Sequence, residues 1–112
     1  MAYKVVITPQ AESDIEDSFI FIAYGGSSEI AAKWLRKLKG EIAGLTEMPN
    51  RCSMSPEAEK FGVELRQLIF GKANGTHRII YRVDEPKQEV HVIAVRHSAR
   101  DEISIEDVRG YL

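Results

Sequence analysis

The sequence predicts an α+β fold: an N-terminal strand, an antiparallel helical hairpin packed on a mostly antiparallel four-stranded sheet, and a short C-terminal helix. Three observations carry this. Two apolar stripes at helical spacing sit either side of Gly25-Gly26 in the first half of the chain. Three runs rich in β-branched residues follow in the second half. The connectors between those runs are short and made of turn formers.

Tyr3 to Ile7 is short, apolar and β-branched, and reads as the first strand. Thr8-Pro9 then opens a helix, since Thr can cap the free N–H groups and Pro fits the first turn, where its missing N–H costs nothing. Ala11, Ile15, Phe19 and Ile22 form one apolar face, and Glu12, Asp14, Glu16 and Asp17 lie near the positive end of the helix dipole, on a face expected to be solvated. Gly25-Gly26 ends it, and Ser27 or Ser28 caps a second helix. There Ala31, Trp34, Leu35, Leu38, Ile42 and Leu45 make the stripe, with Gly40 and Gly44 inside the helix and Pro49 closing it. The short link makes the pair an antiparallel hairpin.

Residues 49–61 read as a loop. Strands are expected from Val63 to Phe70, Thr76 to Val83 and Glu89 to His97. They are joined by hairpin connectors at 71–75 and 84–88. In the last strand Val90, Val92 and Ala94 alternate with His91, Ile93 and Val95. Apolar residues on both sides mark it as central. Ser104 to Leu112 forms the short last helix.

With 112 residues, 44% hydrophobic and 29% charged, the chain is expected to be one globular domain, residues 1–112, large enough to fold without staples. One cysteine, Cys52, allows no internal disulfide, and no Cys/His spacing resembles a zinc site. With no signal-peptide pattern and no long apolar run, a soluble cytoplasmic protein is expected. The net charge is −2, but it is unevenly spread. Residues 5–32 contain no Lys or Arg. The stretch 66–100 carries Arg66, Lys72, Arg78, Arg82, Lys87, Arg96 and Arg100 against Asp84, Glu85 and Glu89. That half suits an anionic partner, or else its arginines pair with nearby acids.

The residues with chemistry cluster there. Strand alternation puts Arg78, Ile80 and Arg82 on one face and His77, Ile79, Tyr81 and Val83 on the other. Arg66 lies on the neighbouring strand, and Arg96, His97 and Arg100 close the last one. Forked guanidinium donors on a sheet can hold phosphates or a carboxylate patch. An imidazole beside arginine, as at His97, can exchange a proton near neutral pH. His77 and His91 could approach across a strand pair, but two histidines fall short of a metal site. Cys52 has no identifiable catalytic partner, and Trp34 and Tyr81 read as helix–sheet packing.

The run His77 to Val83, an acidic turn, and then Val92-Ile93-Ala94-Val95-Arg96-His97-Ser98-Ala99-Arg100-Asp101 resembles the signature of RelE/ParE toxins, a group that includes plasmid stabilisation proteins. Val5 to Ala11 with Asp14-Ile15, and Leu65-Arg66-Gln67-Leu68, resemble other parts of that pattern in the same order. The resemblance implies the toxin of a bacterial type II toxin–antitoxin pair, inhibiting growth until a cognate antitoxin neutralises it, with no cofactor and no metal. One branch of the family poisons DNA gyrase and the other cleaves mRNA on the ribosome without metal. For the cleaving branch the resemblance points to Arg78 and Arg66. Ser98 and Ser104, however, stand where that branch carries an Arg or His and a Tyr. The segment from His97 to Asp101 is similar to the gyrase-directed branch. The candidate catalytic or target-binding residues are therefore Arg66, Arg78, Arg82, Arg96, His97 and Arg100. The readings are a gyrase-directed toxin, a ribosome-dependent endonuclease, and a non-toxic relative serving as an interaction module.

Overall fold

Thr8 marks where the chain leaves the sheet and enters its first helix. The computed structural model describes residues 2–71, 76–97 and 102–112. In it strand β1 is Lys4–Ile7 and helix α1 is Pro9–Gly25. The Thr8 hydroxyl accepts from the Ala11 N–H at 3.3 Å and donates to the Val92 carbonyl at 2.9 Å. One side chain thus caps α1 and fixes its start against the sheet. Ser27, not Ser28, caps helix α2 (Ser28–Ala43), accepting from the Ile30 N–H at 3.1 Å.

Helix α2 stops earlier than Pro49. A 3-10 turn, Gly44–Thr46, replaces its expected last turn, so Gly44 ends the helix and does not lie inside it. Leu45 is still fully buried, because the tighter turn keeps it on the core side. Residues 49–61 are not a plain loop. They contain a 3-10 turn at Pro49–Arg51 and helix α3 (Pro56–Phe61). Pro56 suits the first position of α3, and Gly62 at φ +69° supplies the left-handed cap. Six residues cannot form a stable helix alone. This one is held by Ala58 and Phe61 covering apolar sheet residues.

The remaining strands are β2 (Arg66–Phe70), β3 (His77–Asp84) and β4 (Glu89–His97). Strand β2 starts three residues later than expected, because the Val63 N–H closes α3 on the Ala58 carbonyl. The sheet order is β1-β4-β3-β2, with β1 parallel to β4 and the other pairs antiparallel. The long excursion through the hairpin carries the chain from one edge of the sheet to the other.

Two apolar cores lie on the two faces. The hairpin side buries Trp34, Leu38 and Ile42 against Ile79, Tyr81, Val90, Val92 and Val95. The other side buries Leu65, Ile80, Ile93 and Ala94 under Ile103 and Val108. Simple alternation in β4 fails here. Tyr81 faces Val92 and Ile80 faces Ala94, so Ile93 is an inserted residue. A bulge of one residue inverts the parity beyond it. Ala94 therefore joins Ile93 in the second core, and Val95 joins Val90 and Val92 in the first. Tyr81 and Trp34 are buried as helix–sheet packing, and the Tyr81 hydroxyl donates to the Pro49 carbonyl at 2.5 Å.

The last helix, α4 (Ile105–Val108), continues into a 3-10 turn to Tyr111. Ser104 and Asp107 cap it reciprocally. Among the described residues, no helix is long and apolar enough to cross a membrane.

Candidate functional site

The sheet face away from the hairpin carries Arg78, Arg82 and Arg96. Arg78 and Arg96 are direct cross-strand partners, and Arg82 faces His91. Each is engaged within the fold. Arg78 donates to both carboxylate oxygens of Glu57, at 2.8 and 2.7 Å, and to Gln67 Oε1 at 3.1 Å. Both side chains are almost sealed from solvent, at 8% and 4% exposure. Burial alone would push the Glu57 carboxyl up, but the Arg78 hydrogen bond and charge, with backbone N–H groups, outweigh it and hold Glu57 below the usual carboxylate range.

Arg96 reaches around the edge of the sheet. Strand β1 ends opposite Val92, so the far half of β4, paired with β3 on one edge, has no strand on its β1 side among the described residues. Asp14 of α1 fills that gap. Its Oδ2 accepts from the Val95 N–H and from Arg96 Nε, both at 3.0 Å, and its Oδ1 accepts from Gln10 at 2.9 Å. Arg96 also contacts Asp107 at 3.4 Å, so one guanidinium joins α1 to α4. The acidic face of α1 is therefore not wholly solvated, since Asp14 is buried. Arg82 donates from Nε to the Tyr111 carbonyl at 3.2 Å.

Arg66 and His97 lie on the opposite, hairpin side. Arg66 faces Tyr81, donates to the Cys52 carbonyl at 2.6 Å and contacts Glu64 at 3.4 Å. His97 pairs with His77 across the sheet, their rings 5.4 Å apart, and Trp34 lies 5.2 Å beyond His77. His97 Nδ1 is buried with no hydrogen-bond partner among the described residues. His77 and His91 do not approach each other, because the register sets His77 against His97 and His91 against Arg82. Arg100 and Ser98 lie outside the described residues. The five described candidates are thus divided between two faces, and none of them is a freely presented cation.

The surface holds features that the arginine pattern does not show. A groove of about 360 Å³ runs between α1, α2 and the end of β1, lined by Ile7, Ile15, Phe19 and Leu35 with Glu12, Glu16 and Lys39 at its rim. Beside it β1 is an edge strand, met just before its start by Thr46, whose carbonyl accepts from the Tyr3 N–H, and paired on its outer side with no strand among the described residues. Lys4 and Thr8 donate toward β4, and the alternation of a parallel ladder turns the Val5 and Ile7 N–H groups outward. At the hairpin tip Phe21 and Tyr24 are 79% and 89% exposed. Both aromatics fall off the 11-15-19-22 stripe, which is the one sequence signal that marks them. Ser55-Pro56-Glu57 is a helix-start pattern that could have located Glu57.

The fold has solved counterparts. A chromosomal ParDE toxin–antitoxin system from P. aeruginosa aligns with a TM-score of 0.66 at 15% identity, covering 86% of this chain and 96% of the other. A mutant of E. coli toxin RelE in the free state aligns at 0.64 and 18% identity over 100% of both chains. The RelBE2 toxin–antitoxin complex from Mycobacterium tuberculosis aligns at 0.54 and 22%, covering 88% and 94%. No curated relative matches the sequence. A family model, the ParE toxin of the type II toxin–antitoxin system parDE, matches residues 5–102. With that match over most of the chain, and the same fold in ParDE and RelE structures, this protein belongs to the ParE toxin family of type II toxin–antitoxin systems.

Proposed function

We propose that this toxin arrests growth by binding a protein target, DNA gyrase or a protein like it, and that it does not act by cutting messenger RNA. The observation that carries this reading is the state of Arg78. Its guanidinium is spent on Glu57 and Gln67 and is almost wholly covered. A phosphate-stabilising arginine must have donors aimed at the reacting group. Breaking this buried pair to supply them costs about 3–5 kcal/mol. A binding toxin makes no such demand on Arg78, and the segment of sequence from Arg96 through His97 to Arg100 is its candidate target-binding stretch.

The cognate antitoxin is the natural occupant of the groove. An extended segment added to β1 would satisfy the outward Val5 and Ile7 N–H groups, and its apolar side chains would fill the space between Ile15, Phe19 and Leu35. Glu12 and Glu16 at the rim favour basic residues in that segment.

The deciding experiment is inducible expression in a bacterial host, with and without the neighbouring small open reading frame, following growth, the DNA damage response and message integrity. Arrest with damage signalling and intact messages, relieved by the neighbour, is the expected result. Arrest with codon-proximal cuts would establish the endonuclease reading instead. Abundant folded protein with no arrest would make the chain a non-toxic interaction module.

A further inference from the structure

Strands β3 and β4 place two carboxylates directly opposite each other at the start of their hairpin, Asp84 facing Glu89. Like charges at such a position destabilise a sheet unless something neutralises them. His91, two residues along β4 from Glu89, projects to the same face, and its Nε2 lies 3.0 Å from Glu89 Oε1. The Asp84 carboxylate is oriented by the Lys87 N–H, 3.3 Å from its Oδ1. One ligand atom from each of the three residues lies within 4.8 Å of the others, and none of the three is fully exposed. Among the described residues this is the one such group.

We infer that Asp84, Glu89 and His91 form a three-ligand site for a divalent transition-metal ion, Zn²⁺ being the best fit. The donor set is one imidazole nitrogen and two carboxylate oxygens, which suits zinc. Magnesium and calcium favour all-oxygen surroundings, so the imidazole selects against them. Tetrahedral zinc with bonds of about 2.0–2.1 Å needs ligand atoms roughly 3.4 Å apart. Small side-chain rotations at a hairpin end supply that closure. The fourth position stays open to water or to a ligand from a bound partner. Nearby cations do not fill the site. Arg82, opposite His91, is turned to the Tyr111 carbonyl, and Lys4, in register with Glu89, is exposed. A bound ion would clamp the β3–β4 hairpin beside the edge strand β1, since Lys4 pairs with Glu89.

Calorimetric titration of the chelator-stripped full chain with ZnCl₂, paired with thermal melts, tests this. One ion per chain is expected, with a zinc-dependent rise in Tm and no comparable response to MgCl₂. His91→Ala and Asp84→Asn should each weaken zinc binding by more than about tenfold. Cys52→Ser and His97→Ala, which remove the thiol and one of the two other imidazoles, should leave it unchanged. Melts without zinc identify any variant that has lost its fold, and Glu89→Gln, which keeps the side-chain size, then replaces it. Absence of saturable zinc binding, binding that survives loss of His91 and Asp84, or binding abolished by Cys52→Ser would overturn the assignment.

Discussion

Arg78 and Glu57 meet at the second core as a two-pronged ion pair, with both guanidinium nitrogens 2.7–2.8 Å from one carboxylate. The contact joins the central sheet to α3, an element too short to persist alone. Removing either partner leaves a buried, unmatched charge. Glu57→Ala is expected to cost about 3–5 kcal/mol of stability, measured by urea unfolding at neutral pH.

The same pair sets an acid dependence. The folded Glu57 carboxyl lies below its ordinary value of 4.5, so its contribution is full above that value and is lost as pH falls through the lowered one. Unfolding free energy measured from pH 6 down to pH 3 should decline less steeply in Glu57→Gln than in the wild type. Equal slopes in both proteins would show that other carboxylates carry the effect.

Asp14 closes the open edge of β4 and receives Arg96. Asp14→Ala should cost about 2–3 kcal/mol, through loss of charge-assisted bonds to the Val95 N–H and Arg96. Because the two side chains share one contact, Asp14→Ala and Arg96→Ala should be non-additive by about 0.5–3 kcal/mol in a double-mutant cycle. Simple additivity would mean that the pair is not coupled in solution.

Tyr81 is fully buried, and burial first and the Cys52 thiol second push its phenol above the usual value of 10. A raised folded pKa stabilises the protein below the unfolded value and loses that contribution as pH rises past it. Stability should therefore fall above about pH 10, and less so in Tyr81→Phe. At neutral pH Tyr81→Phe should cost about 1–3 kcal/mol, because the Pro49 carbonyl loses its donor.

The two surfaces separate by mutation. Phe19→Ala, in the groove, should weaken antitoxin binding by about tenfold or more while leaving toxicity, assayed without antitoxin, in place. His97→Ala and Arg100→Ala should lower toxicity with antitoxin binding retained. Under the binding reading, Arg78→Lys loses toxicity only as far as it loses folded protein. A folded, non-toxic Arg78→Lys with preserved messages in its host would instead assign Arg78 a direct role.

Much of the fold is legible in local pattern. The apolar stripes, the Thr8-Pro9 start, the Gly25-Gly26 break and the β-branched runs each depend on neighbours within a few residues, and the elements they mark appear in the expected order, with α2 ending earlier and β2 starting later than local pattern places them. Helix α3 was hidden because six residues carry too little periodicity, and its stability comes from the sheet beneath it. The bulge at Ile93 was hidden for a similar reason. Ile93, Ala94 and Val95 are all apolar, so nothing along the chain indicates which of them is the inserted residue.

The site was legible in residue type but not in arrangement. The sequence by itself determined the fold class, the order of its elements and the concentration of arginine in the second half, because these follow from spacing and composition. Only the tertiary structure decided that Arg78 is occupied by Glu57, that Arg66 and Arg78 lie on opposite faces, that His77 meets His97, and that Asp84, Glu89 and His91 converge. Each of these depends on register across strands, set by how two cores and a bulge fit together over distances that local sequence does not encode.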